Sequence, residues 1–262
     1  METLIMLVIS ILPVYLILKY IYKKDNNKEP YKMLKTLFIY GIIICLPVAF
    51  IEIGIEKLFP DEKTMSLSML FIYVLIDVAL IEELFKWIVV YTMSFKHNEF
   101  DQIYDAIVYA AFVSLGFACI ENVLYVLDSG ILVGLARGIT AIPGHASDAI
   151  IMGNYLGLAK LAEANNNISL KRRNLILSII LPVLTHGIYD YCLFTGNIIF
   201  IIGFIIFLIF IYVYSIKKIK RVSSNNHSLI NSNYFVNNDI KYCTKCGTKC
   251  QGNYCYRCGN KL

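Results

Sequence analysis

Long apolar runs dominate the chain, and short polar segments separate them. Seven runs approach or exceed the roughly 20 residues that an α-helix needs to cross about 30 Å of hydrocarbon. They lie at residues 3–22, 34–58, 66–94, 104–127, 131–160, 174–194 and 197–216. The runs lack the two-residue alternation of barrel strands, and backbone groups in lipid must be paired internally. The pattern therefore predicts an all-α polytopic membrane protein with about seven transmembrane helices.

Composition excludes an ordinary soluble domain. Hydrophobic residues make up 58% of the chain and charged residues 16%, with a mean hydropathy of +0.62. The first run lacks a basic region before it and a small-residue cleavage site after it, so we expect a retained helix rather than a signal peptide. Runs 66–94 and 131–160 are longer than one span requires, which predicts a tilted helix or an interfacial piece.

Basic residues set the predicted orientation. With seven spans, three basic clusters fall on one side, which the positive-inside rule assigns to the cytoplasm. The clusters are Lys19, Lys23, Lys24, Lys28, Lys32 and Lys35; Lys160, Lys171, Arg172 and Arg173; and Lys217, Lys218, Lys220 and Arg221. We expect an integral cell-membrane protein with its N-terminus outside. The net charge of +5 indicates contact with the anionic lipid bilayer rather than with nucleic acid.

The chain changes character after Arg221. A Ser- and Asn-rich stretch with too little apolar content to fold predicts a flexible polar linker over 222–240. Two C-x-x-C-G motifs follow, formed by Cys243, Cys246, Cys255 and Cys258. Four thiolates at this spacing predict a tetrahedral structural Zn site, a zinc ribbon over 241–262. The predicted transmembrane domain is then 1–221.

Zinc is preferred over disulfides at these cysteines because the predicted orientation places the tail in the reducing cytoplasm. Cys250 is a fifth sulfur that we expect to be spare. Four-cysteine sites are coordinatively closed, so this metal is expected to be structural and not catalytic.

Ionisable residues inside the apolar runs are the main functional signal. A charged group at the centre of a bilayer costs about 2.5 to 3.5 kcal/mol by insertion scales. This chain nevertheless places such groups in four consecutive runs: Glu82, Glu83, Lys86, Glu121, His145, His186 and Asp190. An inert anchor has no need of them, so together they predict a site.

Spacing predicts which of these groups share a helix face. Glu82 and Lys86 are four residues apart, which allows an ion pair, while Glu83 lies about 100° around the helix. Burial favours the neutral form of one carboxyl and Lys86 the charged form of its partner, so the two glutamates can take different protonation states. His186 and Asp190 are also four apart, so the carboxylate is predicted to orient the imidazole.

The fourth and fifth runs supply the remaining groups. Phe117 and Glu121 share a face, and Asn122 adds a hydrogen-bonding group beside them. His145 follows Pro143 and Gly144, residues expected to loosen a helix and leave carbonyls accessible near the imidazole. Arg137 either pairs with Asp148 or guides a substrate backbone. On straight spans Glu82 and Glu121 lie at different depths, and tilt, a broken fifth helix or shifted span boundaries would bring the groups level.

Other functions use similar residues. Buried Glu, Asp and His also form ion relays, so a proton-coupled transporter is the main alternative, although no inverted repeat is evident. A buried Glu–Lys pair can also hold a bundle together without any chemistry. A sensor or scaffold that is merely anchored in the membrane is a third reading.

Four motifs in a fixed order favour one of these functions over the others. They are E-E-x-x-K at Glu82–Lys86, F-x-x-x-E at Phe117–Glu121, a third motif opened by His145, and H-x-x-x-D at His186–Asp190. In this order and on separate helices they resemble the PrsW family of intramembrane proteases, which is related to the CAAX-processing and bacteriocin-immunity membrane proteases. The resemblance covers about residues 66 to 194, and the zinc ribbon lies outside it.

The resemblance implies hydrolysis of a peptide bond in a membrane-anchored protein, for this family typically an anti-sigma factor. Our hypothesis assigns water activation to Glu82 or Glu83. His145 and His186 hold the water or the developing oxyanion, and Asp190 orients His186. Glu121 positions the reacting groups or donates a proton to them. Lys86, Phe117 and Asn122 are supporting residues. The chain has no H-E-x-x-H pair, so the use of a catalytic metal stays open between a glutamate protease and a metalloprotease.

Overall fold

Helices form nearly all of the structure, a computed structural model that describes residues 2–224, 240–243, 245, 246, 248–251, 254, 255 and 257–261. The α-helices within these ranges are α1 (Glu2–Lys24), α2 (Tyr31–Glu56), α3 (Leu67–Tyr73), α4 (Ile81–Ser94), α5 (Ile103–Ser129), α6 (Ile131–Ile139), α7 (Ala141–Ala164), α8 (Ile168–Phe194) and α9 (Ile198–Ser224). The predicted all-α class is confirmed.

Five helices in the described part of the chain are long and apolar enough to cross a membrane: α1, α2, α5, α8 and α9. Their outer faces carry exposed aliphatic side chains, most densely on α9. In water such a surface would be a binding or aggregation site. Around a helical bundle it is the surface that lipid covers.

The predicted third span is one helical column of three parts. Helix α3 passes into a π-helical stretch, Val74–Leu80, which passes directly into α4. The hydroxyl of Ser66 caps the start of the column by accepting a hydrogen bond from the amide of Met69 at 3.3 Å. Short π-helical stretches are frequent at functional sites, and here α4 begins just before the two adjacent glutamates.

The predicted fifth span is broken. Helix α6 ends at Ile139, Thr140 follows, and α7 begins at Ala141. Pro143 therefore lies in the first turn of α7, where its missing N–H is not needed, and it does not loosen a continuous helix as expected. The break lets His145 emerge in the first turns of a new helix.

Helices α5 and α7 form the buried centre of the bundle. A Cβ added at Gly153 of α7 would lie 2.5 Å from the carbonyl oxygen of Ala106 in α5. One added at Gly116 of α5 would lie 2.2 Å from the carbonyl oxygen of Phe38 in α2. Only glycine permits these approaches, which is the usual way in which membrane helices pack without a hydrophobic driving force between them.

Beyond α9, the described residues include a two-stranded antiparallel sheet. Strand β1 (Ile240–Tyr242) pairs with β2 (Lys249–Gln251), so that Lys241 lies opposite Cys250. The predicted linker over 222–240 falls, between 225 and 239, outside the described residues.

Candidate active site

The ionisable groups predicted to converge do lie together. Glu82 and Glu83 come from α4, His145 from α7 and His186 from α8. Each offers one potential ligand atom, and these atoms all lie within 4.8 Å of one another. All four residues are buried. Residues far apart in sequence therefore form one compact polar centre inside the bundle.

Lys86 occupies the middle of this centre and is completely buried. Its Nζ donates to Glu82 Oε2 at 2.7 Å and to Glu83 Oε1 at 2.8 Å. The same Nζ lies 3.2 Å from His145 Nδ1 and 4.3 Å from the ring centroid of Phe117. The ammonium thus binds two buried carboxylates, balances one unit of their combined negative charge, and lies over an aromatic face.

His186 lies between carboxylates. Its Nδ1 is hydrogen-bonded to Glu83 Oε1 at 3.0 Å. Its Nε2 lies 3.1 Å from Asp190 Oδ2 and 4.0 Å from Glu82 Oε2, but Asp190 Oδ2 makes no aligned hydrogen bond in the described structure. Glu83 therefore makes the aligned hydrogen bond to the ring, and the predicted partner Asp190 lies beside the other ring nitrogen, where its charge also favours this orientation.

His145 links the centre to a second ion pair. Because the Lys86 ammonium can only donate, His145 Nδ1 accepts, and the N–H must lie on Nε2. Nε2 then donates to Glu121 Oε2 at 2.9 Å. The other oxygen of Glu121 accepts from Arg137 Nη2 at 2.8 Å.

Arg137 is held on three sides. Its Nε donates to Asn122 Oδ1 at 3.2 Å, and its guanidinium stacks 3.9 Å from the centroid of Tyr125. The proposed pairing of Arg137 with Asp148 is not formed, since Asp148 accepts instead from the Thr185 hydroxyl at 2.5 Å. Sequence alone singled out Arg137 as costly and buried, but it did not identify Glu121 as its partner.

A cavity of about 890 Å³ opens onto this network. Its lining includes Glu82, Glu121, Arg137, His145 and His186, together with Asp148 and Asp190. Glu83 is not part of the lining, and its side chain is fully buried. The two adjacent glutamates are thereby distinguished, because Glu82 faces the space that a substrate could enter and Glu83 lies behind it.

Two further acidic residues, which have no assigned role, line the same cavity. Asp77 and Glu52 each contribute a buried oxygen that has no hydrogen-bond partner in the described structure. Asp77 lies five residues before Glu82 in the sequence, a position that suits either a neighbour of the site or part of a water path. Glu52 was missed because it lies near the end of a long apolar run, where an interfacial acid is ordinary.

The four cysteines of the tail form a separate cluster. Sγ of Cys243 lies 3.5 Å from that of Cys258, and Sγ of Cys246 lies 3.4 Å from that of Cys255. All four ligand atoms lie within 4.8 Å of one another, so the group can hold a metal ion. Cys250 is outside this group, and its Sγ donates to the carbonyl oxygen of Thr248.

Comparison with known proteins agrees with the geometry. The sequence model described as "PrsW family intramembrane metalloprotease" matches residues 29–216. The chain belongs to the PrsW family. It is therefore an intramembrane protease and an integral membrane protein, and the resemblance that rested on four motifs is confirmed.

Individual relatives match over nearly their whole length. "Protease PrsW" of Oceanobacillus iheyensis is 38% identical over 216 residues, which cover 82% of this chain and 95% of the relative. "Protease PrsW" of Bacillus subtilis is 33% identical over 218 residues, which cover 83% and 95%. "Protease PrsW" of Clostridioides difficile is 31% identical over 227 residues, which cover 84% and 91%. No solved structure matches the chain.

The PrsW family's description as metalloproteases raises the question of whether this centre fits a metal. Two carboxylates and two imidazoles are donors of the types that bind Zn²⁺ in catalytic sites. Their ligand atoms are close enough to share one ion. Glu83 Oε2 is buried and has no hydrogen-bond partner among the described residues. The donor set therefore fits a metal ion, with Lys86 as an additional positive charge.

Proposed function

We propose that this protein is an intramembrane endopeptidase that hydrolyses a peptide bond of a membrane-anchored substrate, with an anti-sigma factor as the substrate class. The observation that supports the proposal is the placement of Glu82 and His186 at the wall of a cavity, within a buried network of Glu83, Lys86 and His145. A cavity of about 890 Å³ has room for an extended peptide segment.

Glu82 is the proposed general base. It faces the cavity, whereas Glu83 is held behind it. Lys86 holds the Glu82 carboxylate in place through a 2.7 Å hydrogen bond. Glu82 takes a proton from water as the water oxygen attacks the carbonyl carbon, and it returns the proton to the amine as the C–N bond breaks.

His186 is the proposed donor to the developing oxyanion. In its imidazolium form it donates the Nδ1–H to Glu83 at 3.0 Å, and its Nε2–H, 3.1 Å from Asp190 Oδ2, is not committed to an aligned hydrogen bond in the described structure. A preorganised N–H in a site shielded from water stabilises developing negative charge more than it would in water.

His145 and Glu121 are proposed as positioning residues. The chain from Lys86 through His145 and Glu121 to Arg137 fixes the tautomer of His145 and ties α4, α5, α6 and α7 together. If a metal is used, Glu82, Glu83, His145 and His186 would hold it, and it would polarise the scissile carbonyl and lower the pKa of water.

The remaining proposals concern topology and the tail. We propose an N-terminus outside the cell membrane and a cytoplasmic zinc ribbon, because the three basic clusters fall on one side of a seven-span arrangement. We also propose a division of the chain into a membrane domain (1–221), a linker (222–240) and a ribbon (241–262). The clustered sulfurs support Zn²⁺ as the structural metal.

The test reconstitutes the purified full chain in liposomes with single-span substrates, an anti-sigma factor among them, in ¹⁸O-labelled water. Cleavage with one ¹⁸O in the new carboxyl group is expected from the native chain and from Asp128→Asn, an exposed acid on α5. Glu83→Gln and His186→Ala should lose cleavage while keeping native helicity. Full activity in both variants would contradict the assignment.

A second experiment, with a chelator, distinguishes a metal in the catalytic centre from the metal of the ribbon. Cys243→Ser with Cys246→Ser removes half of the ribbon's ligands and leaves the buried centre unchanged. If this double variant still cleaves and a chelator then stops it, the catalytic centre uses a metal. If it cleaves at the native rate in excess chelator, the centre works as a glutamate protease.

A further inference from the structure

A second group of acids is buried at the other end of α5, away from the candidate active site. Asp25 and Glu29 come from the connection between α1 and α2, and Asp105 from the first turn of α5. Their exposed fractions are 3%, 3% and 0%. One oxygen from each lies within 4.8 Å of the others. Buried acids this close repel one another unless something compensates them.

Hydrogen bonds fix each carboxylate but leave oxygens free. Asp25 Oδ1 accepts from the amide of Asn27 at 3.1 Å. Asp105 Oδ2 accepts from the amides of Asp101 and Gln102 at 3.0 and 2.6 Å. The second oxygens, Asp25 Oδ2 and Asp105 Oδ1, are buried and have no hydrogen-bond partner in the described structure.

Glu29 is the third member of the group. One of its oxygens accepts from the hydroxyl of Tyr109, which is itself fully buried. That hydroxyl fixes the orientation of Glu29 without adding a charge. The hydrogen bonds that hold the three carboxylates in place therefore come from backbone amides and one hydroxyl, all of them neutral donors.

No positive side chain among the described residues forms an ion pair with the three carboxylates. Within the described residues, no basic side-chain nitrogen lies within 4.0 Å of these three carboxylates. The nearby Lys28 ammonium donates instead to the backbone carbonyl oxygens of Tyr22 and Asp25. Leaving buried acceptors without a donor or a cation is costly, so the group calls for a ligand that supplies positive charge.

We propose that Asp25, Glu29 and Asp105 form a site for a hard divalent cation, Ca²⁺ or Mg²⁺, that ties the α1–α2 connection to the start of α5. Both ions prefer carboxylate oxygens, at about 2.3 to 2.6 Å for Ca²⁺ and 2.0 to 2.1 Å for Mg²⁺. Ligands around such an ion lie at most about 4 to 5 Å apart, as these oxygens do.

The site is distinct from the candidate active site. Asp105 precedes Glu121 by 16 residues of α5, which is about 24 Å along the helix axis. A cation here would clamp the buried central helix to the first two helices and take no part in the chemistry. The proposal therefore stands or falls independently of the proposed function.

Calorimetric titration of the EDTA-treated full chain in detergent tests it, with CaCl₂ and MgCl₂ in separate arms. The native chain should bind one equivalent of at least one of the two ions. Glu29→Gln and Asp105→Asn should weaken that binding by about tenfold or more, as loss of a residue that supports a metal site does. Glu99→Gln, an exposed acid just before α5, should bind as the native chain does.

Two further measurements decide the assignment. Glu82→Gln should retain the binding event, since the active-site cluster is separate. In the native chain, tyrosine-excited Tb³⁺ emission that Ca²⁺ or Mg²⁺ displaces would support a site beside Tyr109, without relying on any variant. The proposal is overturned if no displaceable emission appears, if Asp105→Asn folds and binds as the native chain does, or if Glu82→Gln abolishes the binding.

Discussion

The two buried acid clusters along α5 differ in how their charge is compensated. At the candidate active site, Glu82 and Glu83 share the ammonium of Lys86, and Glu121 pairs with Arg137. At the other end, Asp25, Glu29 and Asp105 have no such partner within the described residues. One cluster has counterions among its own side chains, and the other, by our proposal, takes an ion from solution.

The difference in charge compensation indicates which role suits each cluster. A site with internal counterions holds its carboxylates in fixed positions whatever ions the medium contains, which suits a general base. A site without them gains stability only when an ion binds, which suits a structural clamp that responds to ion concentration.

Lys86→Met should have the largest effect. Removing one partner of a buried ion pair leaves an uncompensated charge, which typically destabilises a protein by about 3 to 5 kcal/mol. Here two carboxylates lose their shared partner, and cleavage should be lost as well. Denaturant unfolding in detergent measures the change, with exposed Lys57→Met as the matched control. Equal unfolding curves for the two variants would show that Lys86 does not compensate the glutamates.

Binding of an ion by Asp25, Glu29 and Asp105 should change the free energy of unfolding by an amount comparable to the Lys86→Met effect, and this change should be reversible. At an ion concentration of about 100 times Kd, binding to the folded state alone adds about 2.7 kcal/mol to the free energy of unfolding. The gain should appear in the native chain and in Glu99→Gln but not in Asp105→Asn. A gain of the same size in Asp105→Asn would place the ion elsewhere.

Arg137→Gln should weaken the outer part of the active-site network. Hydrogen bonds to charged groups contribute about 1.5 to 3 kcal/mol, and the lower value applies because the Arg137 side chain is 17% exposed. If Glu121 loses its position, the cleavage rate should fall about tenfold. Arg221→Gln, remote from the cavity, is the control. An unchanged rate with a native fold would remove Arg137 from the network that positions the site.

Cys243→Ser should have the smallest effect on cleavage. The thiolate cluster lies outside the residues matched by the family, 29–216, so the variant should lose zinc from the ribbon and cleave at a rate close to native. Metal analysis and the cleavage assay measure the two quantities together. A parallel loss of zinc and cleavage would connect the ribbon to the active site.

The sequence predicted much of the site because burying ionisable groups in apolar helices is costly and helical spacing is regular. Glu82, Glu83, His145 and His186 were expected to meet, and they do. The continuity of the fifth run could not be predicted, because whether Thr140 continues a helix or ends it depends on the packing of α6 and α7 against their neighbours.

Contacts between residues that are far apart in sequence could not be predicted either. Glu121 and Arg137 are 16 residues apart on different helices, and no local spacing rule connects them. The Asp25, Glu29 and Asp105 cluster was missed for a related reason. Two of its acids lie among the lysines of a polar loop, where acids are normally solvated, and their burial depends on contacts with α5.

Single-turnover cleavage by Glu82→Gln in liposomes, beside the native chain and Asp128→Asn, tests the central claim most directly. The substitution preserves size and can retain hydrogen bonding to Lys86, but the amide cannot accept a proton from water. We expect a rate lower by about 10² to 10⁴ than in the other two proteins, which should cleave alike. A native rate in correctly folded Glu82→Gln would contradict the account.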